Sequence, residues 1–485
     1  MALEASIPLI ASTESEVPLA IWPETPPLSG GISIFEGRLK DLGLEKQDSR
    51  LERIDFQAVV AALPRPNQAF WTLSALWSGW LWGRDALGPF KSVLRRRRYD
   101  WAWHTTALQA AASSLLPLLS ERTAFFGLIG ELEPGFLSSA LLGGALGGFE
   151  LQGLALRSAG DQAQITWTSH QNRTQPKTAN LDSRQLFEVA AGSGIDYLKN
   201  CGEPASYLNL QAAALEKILA VGLPSALVSA PPADVYAQTQ DILENAFGFR
   251  HGFIRFGGNE KSPEAGKWWL REVENVDIPL KDRLEMALVR WLYRHSGCTL
   301  GEIDQAMCLA FPGLITPDLE WTEITLRSYG EQPNGPGGGW QLRPGDHPKA
   351  RRADIEQVRS TLEAIGDRMG YKASGERSLV WQDTYGNARY AFHIFASATF
   401  AETLLNNEYP PGHSFLVLPG SRAELALYKL NHDARLRGAF ERGWRFLKYR
   451  HVRRLSRAES FDPDQFEAQI GLDPLTEQPE QIRLL

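Results

Sequence analysis

The spacing of apolar residues along the first third of the chain predicts a compact α/β domain over residues 56–168. Its last strand shows the pattern best, because Ala163, Ile165 and Trp167 alternate with polar neighbours and would place one face in a core. A Pro-rich extension over 1–55 is expected to wrap around this domain or to extend it. The predicted elements are, in chain order, a helix at 69–83, a strand at 124–130, a helix at 135–147, and strands at 149–155 and 162–167.

The next segment, residues 169–279, is expected to be a mainly helical linking region. It opens with the polar stretch SHQNRTQPKTAN at 169–180 and is interrupted at Pro231-Pro232. Within it, Ala191-Gly192-Ser193-Gly194 has the composition of a glycine loop that binds S-adenosylmethionine. Such a loop follows a strand, whereas the flanking residues here are typical of a helix. The favoured interpretation is a helix break without a cofactor.

Residues 280–346 show three helical patterns followed by a Gly-rich loop and a strand, which is the order of a winged-helix module. Thr299 and Glu302 have the spacing of a capping box at the start of the second helix. The turn before the third helix resembles a helix-turn-helix, whose second helix enters a major groove. The three helices are predicted at 283–295, at 300–311, and from Thr316-Pro317-Asp318 through Tyr329.

The third of these helices carries side chains suited to contact with DNA. Arg327 would lie on a neighbouring face, where it could reach a phosphate or pair with Glu323 four residues before it. Asp318 and Glu320 add to the negative charge of Glu323 and would repel phosphate, so contact with a protein is an open alternative to base recognition. The positions expected to be exposed for recognition are Trp321, Thr322, Thr325 and Ser328.

Residues 347–457 are predicted to form a second α/β domain, and residues 458–485 an acidic, loosely ordered tail. A turn at Tyr385-Gly386-Asn387 would join two of its strands. The domain is expected to end in a basic helical segment. Its other elements are predicted as helices at 350–369, 396–405 and 423–430, and strands at 378–381, 389–395, 414–418 and 445–449.

Charge is distributed unevenly along the chain. The net charge is −7, whereas residues 435–457 hold nine Arg or Lys against one Glu, a local charge of +8. We expect this basic edge to contact the phosphates of a nucleic acid. The alternative is a solvated face neutralised by the acidic tail or by a partner protein. The residues predicted to bind are Arg442, Arg445, Lys448, Arg450, Arg453, Arg454 and Arg457.

A second basic run lies in the first predicted domain. Trp101 and Trp103 follow it closely and could stack on bases, although they could equally belong to the core. The run itself consists of Arg95, Arg96, Arg97 and Arg98.

The sequence shows no motif of a known catalytic, metal or cofactor site. The three cysteines lack CxxC spacing, and no Walker, HExxH or GxSxG motif is present. Glu131 and Glu133 follow a predicted strand, but nothing else converges on them. Asp383 lies between two predicted strands, and His393 lies on the second. A nuclease of the restriction-endonuclease type would carry a Glu-x-Lys pair on that strand to hold a metal ion, but the strand reads YAFHIF.

Two stretches carry a resemblance to a known family, PRPNQAFWTLSALWSGWLWGR at 64–84 and FFGLIGELEPGFLSSALLGGALGGFELQGLALRSAGDQAQITW at 125–167. They resemble the later part of bacterial DNA methylase-like proteins of the amino-methyltransferase class. The resemblance implies that the elements at 124–130, 135–147 and 149–155 close a methyltransferase sheet. The catalytic Asp/Asn/Ser-Pro-Pro-aromatic motif and the cofactor glycine loop of that family are missing here. It therefore implies a scaffold without its active centre, or a chain split from a catalytic partner.

These patterns predict a multidomain α/β fold and a non-catalytic DNA-binding component of a restriction-modification or antiphage defence system. One alternative is a scaffold or specificity subunit that docks a methyltransferase, helicase or nuclease through the Trp-rich segment 69–82. Another is a methyltransferase or nuclease-like enzyme with degenerate motifs. The acidic N-terminus does not resemble a signal peptide. Segment 69–82 is shorter than the roughly 20 residues that span a bilayer, so we expect it to form a buried helix in a cytoplasmic protein.

Overall fold

The computed structural model describes most of the chain between residues 56 and 470 and parts of residues 18–39. Over the described residues the chain is a mixed α/β fold with sixteen helices and several small sheets. None of these helices combines the length and the apolarity needed to cross a bilayer. The main described ranges are 56–65, 68–90, 100–121, 123–157, 160–169, 178–248, 252–259, 262–333, 337–406, 413–457 and 463–470.

The first large sheet has four strands, and a separate parallel pair, β1 (Leu19–Ile21) and β2 (Ile32–Ile34), precedes it. The four strands are β3 (Ala58–Ala62), β4 (Ala124–Ile129), β5 (Phe149–Arg157) and β6 (Gln162–Ser169). They lie in the order β3-β4-β6-β5. Strand β3 is parallel to β4, and β6 is antiparallel to both of its neighbours. The helices of this segment are α1 (Gln68–Trp82), α2 (Trp101–Leu115) and α3 (Pro134–Leu146).

Helix α3 forms the centre of the first core. It lies between α2 and the sheet, and ten consecutive residues from Phe136 to Ala145 are buried. Pro134 occupies its first turn, where the missing N–H costs no hydrogen bond. A Cβ at Gly144 would lie 2.9 Å from the indole of Trp167, so glycine lets the helix approach the sheet closely. The predicted strands and the helix at 135–147 are thus confirmed.

The prediction that segment 69–82 is a buried helix is half wrong. The helix is present, but Trp77, Trp80 and Trp82 are exposed, with 75% of Trp80 accessible to solvent. It is helix α3 that packs on the four-stranded sheet. Among the described residues, α1 packs mainly against the following turn, Arg84–Phe90. A mostly apolar helix therefore has a large apolar surface that the described residues leave uncovered.

The region that follows is mainly helical, as predicted. Its helices are α4 (Ser183–Cys201), α5 (Tyr207–Val221), α6 (Ser225–Val228) and α7 (Pro232–Ala246). The predicted interruption at Pro231-Pro232 coincides with the start of α7, whose N-cap is Pro231. The sequence did not predict the antiparallel hairpin at its end. The strands of this region are β7 (Thr178–Ala179), β8 (Leu223–Pro224), β9 (Phe253–Phe256) and β10 (Lys267–Leu270).

The predicted helix break at residues 191–194 is wrong, because α4 continues through them. Asp182 and Gln185 form a capping box that stabilises the first turn of the helix. Gly194 faces the ring of Phe247, and a Cβ at this position would lie 2.6 Å from that ring. The small residue therefore serves helix packing.

The elements predicted over 280–346 are all present, and we call this segment the three-helix unit. Thr299 and Glu302 form the predicted capping box. Cys298 forms an isolated antiparallel bridge with Trp340, next to the hairpin that ends this segment. The elements are α8 (Leu280–Arg294), α9 (Leu300–Ala310), α10 (Leu319–Tyr329), β11 (Gly330–Glu331) and β12 (Gln341–Leu342).

The C-terminal part is built on a five-stranded sheet in the order β13-β14-β15-β16-β17. Its strands are β13 (Lys372–Ser374), β14 (Leu379–Gln382), β15 (Ala388–Ile394), β16 (Ser414–Leu418) and β17 (Arg445–Lys448). The first three strands are antiparallel and the last three parallel. The helices are α11 (Pro348–Arg368), α12 (Ala401–Leu405), α13 (Ala423–His432), α14 (Ala434–Glu441), α15 (Tyr449–Leu455) and α16 (Pro463–Ile470).

Four details of this part differ from the prediction. Strand β13 and helix α14 were not predicted, and the helix expected at 396–405 begins only at Ala401. The expectation of a loosely ordered tail is wrong for α16, because Phe466 is buried against Trp381 and Tyr390. Two well-spaced apolar residues anchor this helix in an otherwise polar segment. Residues 471–485 lie outside the described part.

The three-helix unit and the C-terminal part share one hydrophobic core. Leu288 of α8 and Leu326 of α10 belong to the same buried cluster as Leu425 of α13 and Leu416 of β16. A shared core fixes the faces that each part presents to solvent.

Candidate nucleic-acid interface

The predicted recognition helix, α10, is buried on the face expected to read bases. Thr322 and Thr325 are fully buried, as are Trp321 and Ser328 apart from 2% and 3% of their surfaces. The hydroxyl of Ser328 donates to the backbone oxygen of Ser421, 2.9 Å away in the C-terminal part. The expectation of exposure is therefore wrong, since the polar face of α10 packs against α13 and the turn at Gly420–Arg422.

Arg327 is exposed, but it is held by carboxylates. Its guanidinium lies 2.9 Å from Glu424 and 4.0 Å from Glu323, so the pair predicted within the helix is present together with a second one. Apart from Arg327, the exposed positions of α10 are Leu319 and Glu320. This surface is acidic and unsuited to phosphate.

A buried ionic cluster joins the three-helix unit to the C-terminal part. The ammonium of Lys429 lies 2.6 Å from Asp282, 2.5 Å from Glu285 and 2.9 Å from the backbone oxygen of Ala398. Burial disfavours the charged ammonium, but the two carboxylates outweigh this effect and raise the pKa of Lys429. Burial raises the pKa of Asp282, although Lys429 opposes the shift.

A second buried cation lies beside this cluster. The guanidinium of Arg422 donates to Asp346 and to the backbone oxygen of Ser328, and it stacks 3.4 Å from the ring centroid of Tyr329. The Tyr329 hydroxyl in turn donates to Glu285. The two clusters are therefore connected, and they fix α10 against the C-terminal sheet.

Three residues of the predicted basic edge are withdrawn from the surface or paired. Arg445 forms an ion pair with Glu467 of α16 and lies over the ring of Phe415. Arg453 pairs with Asp354 of α11 at 2.8 Å. Lys448 is 5% exposed. Acids distant in sequence hold Arg445 and Arg453, and Lys448 is buried, so these three residues present less positive charge at the surface than the sequence suggests.

The remaining four residues of the basic edge are exposed. Arg450, Arg454 and Arg457 project from the outer face of α15 and its end, whose inner face is buried, and Arg442 precedes β17. One Nη of Arg454 lies 2.8 Å from Nδ1 of His451 and is oriented by it. We call these four residues the arginine row.

The second predicted basic run, Arg95 to Arg98, lies outside the described residues. Trp101 begins α2 and stacks on Phe136 with ring centroids 5.5 Å apart. It therefore belongs to the core of the first sheet, which was the alternative left open by the sequence.

The acidic residues considered for acid–base chemistry are held by nearby partners. Glu131 and Glu133 both bind Arg65, at 2.5 Å and 2.7 Å. Asp383 accepts hydrogen bonds from the backbone N–H groups of Tyr385 and Asn387 and so stabilises the turn after β14.

His393 lies near the other end of β15 from Asp383. Its Nδ1 is 2.8 Å from the hydroxyl of Ser378, and burial lowers its pKa from 6.5 to about 4. No group of three or more His, Cys, Asp or Glu residues suited to hold a metal ion occurs in the described part of the chain.

A polar cavity of about 490 Å³ lies where the first sheet, the helical region, the three-helix unit and the C-terminal part meet. Lys281 and Glu203 form an ion pair on its wall. Lys267 also lines it, and burial together with the nearby Lys281 lowers the pKa of its ammonium. The indole N–H of Trp321 is buried there and has no hydrogen-bond partner in the part of the chain that the structure describes. Sequence reasoning missed this cavity, since its walls come from four separate segments.

The chain has no match among family models, curated proteins or solved structures.

Proposed function

We propose that this chain is a non-catalytic DNA-binding component of a restriction-modification or antiphage defence system. The observation that carries the proposal is the arginine row. Arg450, Arg454 and Arg457 are spaced at i, i+4 and i+7, and like charges on one helical face repel each other. A DNA backbone would relieve this repulsion and release counterions.

The first sheet supports the link to DNA modification. Strand β4, helix α3 and strand β5 correspond to the three elements that the resemblance to amino-methyltransferases implies. They share one core. The segment 280–346 has the element order of a winged helix, but its third helix contacts the C-terminal part. In this proposal it is a structural support, and the arginine row takes the role of DNA contact.

Duplex DNA binding, measured by fluorescence anisotropy over a series of salt concentrations, tests the proposal. The combined variant Arg450→Ala, Arg454→Ala and Arg457→Ala should raise Kd by at least about tenfold. The slope of its plot of log Kd against log salt concentration should decrease by about 2 to 3, because each phosphate contact contributes roughly 0.9 to that slope.

A control variant separates the arginine row from net charge. Arg184, Lys217 and Lys372 are exposed in other parts of the chain, and replacing all three with Ala removes the same charge. This variant should bind DNA nearly as the unmodified chain does. Equal losses for both variants, or no binding by the unmodified chain at low salt, would contradict the proposal.

The exposed surface of α1 favours a second candidate function, a scaffold that docks a catalytic partner. Strand β3 consists of five apolar residues and is an edge strand among the described residues, with Val60 exposed. Parallel strands are usually buried on both faces, and an apolar edge invites pairing with another chain. Helix α1 begins six residues after the end of β3 and adds exposed tryptophans to the described surface.

Purification from the native host tests this candidate. A partner chain should be recovered in stoichiometric amount with the unmodified protein and lost with the double variant Trp77→Asp and Trp80→Asp. Both side chains are exposed, so the variant should fold normally. Recovery of the unmodified chain alone, or an unchanged yield of partner with the variant, would count against docking through α1.

A further inference from the structure

A groove of about 530 Å³ lies between α8 and the first turns of α11. Arg290 and Tyr293 line it from α8, and Arg351 and Arg352 line it from α11. The carboxyl end of β15 closes its floor with Phe395. None of these residues belongs to the basic edge predicted from sequence.

The acids that line this groove already contact buried cations. Glu285 shares the ammonium of Lys429 with Asp282, and Asp346 accepts from Arg422. The first turn of α11 contains no acidic residue. The groove therefore has surplus positive charge, which favours an anionic ligand.

The three arginines that line the groove retain donors for such a ligand. Arg290 and Arg352 are exposed and make no ion pair or hydrogen bond to the described residues. Nε and one Nη of Arg351 are buried and have no hydrogen-bond partner among the described residues, and the carboxylate oxygen of Asp346 is 3.8 Å from Nε. Planar guanidinium groups with unused donors suit phosphate oxygens.

An exposed aromatic residue lies beside these donors. Tyr293 is 53% exposed and meets the ring of His347 edge to face, with centroids 5.4 Å apart. A tyrosine held in this way presents a flat apolar surface on which a sugar of the DNA backbone could pack.

The groove lies next to the arginine row. Helix α15 is fixed to α11 by the ion pair of Arg453 with Asp354, one turn after Arg351. The Tyr449 hydroxyl at the start of α15 donates to the backbone oxygen of Phe395 on the groove floor, at 2.9 Å. Both features thus lie at the carboxyl edge of the parallel strands.

We propose that the groove between α8 and α11 binds the phosphate backbone of the DNA that also contacts the arginine row. The inference rests on the proposed DNA binding. In it, the three-helix unit contacts DNA through this groove and not through the buried helix α10. Arg290, Arg351 and Arg352 hold phosphates, and Tyr293 packs against the adjoining nucleotide.

The double variant Arg290→Ala and Arg352→Ala tests the groove by anisotropy with a duplex oligonucleotide. Neither side chain has a partner among the described residues, so the thermal unfolding curve should be unchanged. Kd should rise about five- to tenfold, and the salt slope should fall by about 2. Hydroxyl-radical footprinting should show a shorter protected stretch than with the unmodified chain, since one end of the contact is lost.

The outcomes separate this inference from the proposed function. If the arginine-row variant weakens binding while the groove variant has an unchanged Kd and footprint, the groove inference is wrong and the proposed function stands. If the unmodified chain does not bind DNA, both fail. Poly-glutamate provides a further test. If it displaces DNA at equal charge concentration, and if its own binding is lost in the groove variant, the groove binds an acidic protein and the inference is overturned.

Discussion

Replacing Lys429 with Met is expected to lower the free energy of unfolding by about 3–5 kcal/mol, the usual cost of removing one partner from a buried ion cluster. Lys429 is 1% exposed and lies within 2.6 Å of both Asp282 and Glu285. Without the ammonium, two buried carboxylates remain close together with no cation between them. Urea unfolding followed by tryptophan fluorescence measures the change.

The pH dependence identifies the cause of this destabilisation. Burial and the neighbouring Glu285 raise the pKa of Asp282, whereas Lys429 opposes the shift, so its removal raises that pKa further. The folded variant then binds a proton more readily than the unfolded chain, and the difference from the unmodified protein should shrink as pH falls from 8 to 5.

An exposed lysine provides the control for this variant. Lys217→Met on α5 should change stability by less than about 0.5 kcal/mol, because surface substitutions of this kind have small effects. A loss for Lys429→Met that stays constant with pH would contradict the charge argument and point to packing alone.

Local patterns in the sequence were sufficient to predict most elements. The alternation at Ala163, Ile165 and Trp167 marked β6, and the capping box at Thr299 marked the start of α9. Both signals depend on neighbours within a few residues. The unpredicted strand β13 has only three residues, too few to show a period.

The faces that become buried between units could not be predicted in this way. Thr322 and Thr325 are polar and were expected at the surface, yet α13 covers them. Trp80 is apolar and was expected in a core, yet it is exposed. Periodicity shows that a helix has two faces, but it does not show which other segment of the chain will cover each one.

Prediction of the candidate binding surface from the sequence was limited by the same effect. The sequence places seven cations between residues 442 and 457, but Arg453 finds its partner Asp354 about 100 residues earlier in the chain. Arg445 pairs with Glu467 on a tail helix that composition alone did not predict. The groove between α8 and α11 requires three segments to meet, and no local signal marks it.

Trp381→Ala should destabilise the C-terminal part by about 3–5 kcal/mol, as expected for removing a fully buried large aromatic side chain. Trp381 is 0% exposed, and its indole contacts the rings of Tyr371, Phe392 and Phe466. The cavity left behind would also loosen α16, whose anchor is Phe466. Guanidinium unfolding, together with limited proteolysis between α15 and α16, measures both effects.

Trp80→Ala is the matched control, since the same side chain is removed from an exposed position. It should change the free energy of unfolding by less than about 0.5 kcal/mol. A large loss for Trp80→Ala would mean that residues outside the described part already cover α1, and that this surface is core and unavailable to a partner. Unchanged stability, combined with a weakened association with the partner, would instead assign the apolar surface of α1 to docking. The two tryptophans thus distinguish residues that hold the fold from residues that serve an interaction.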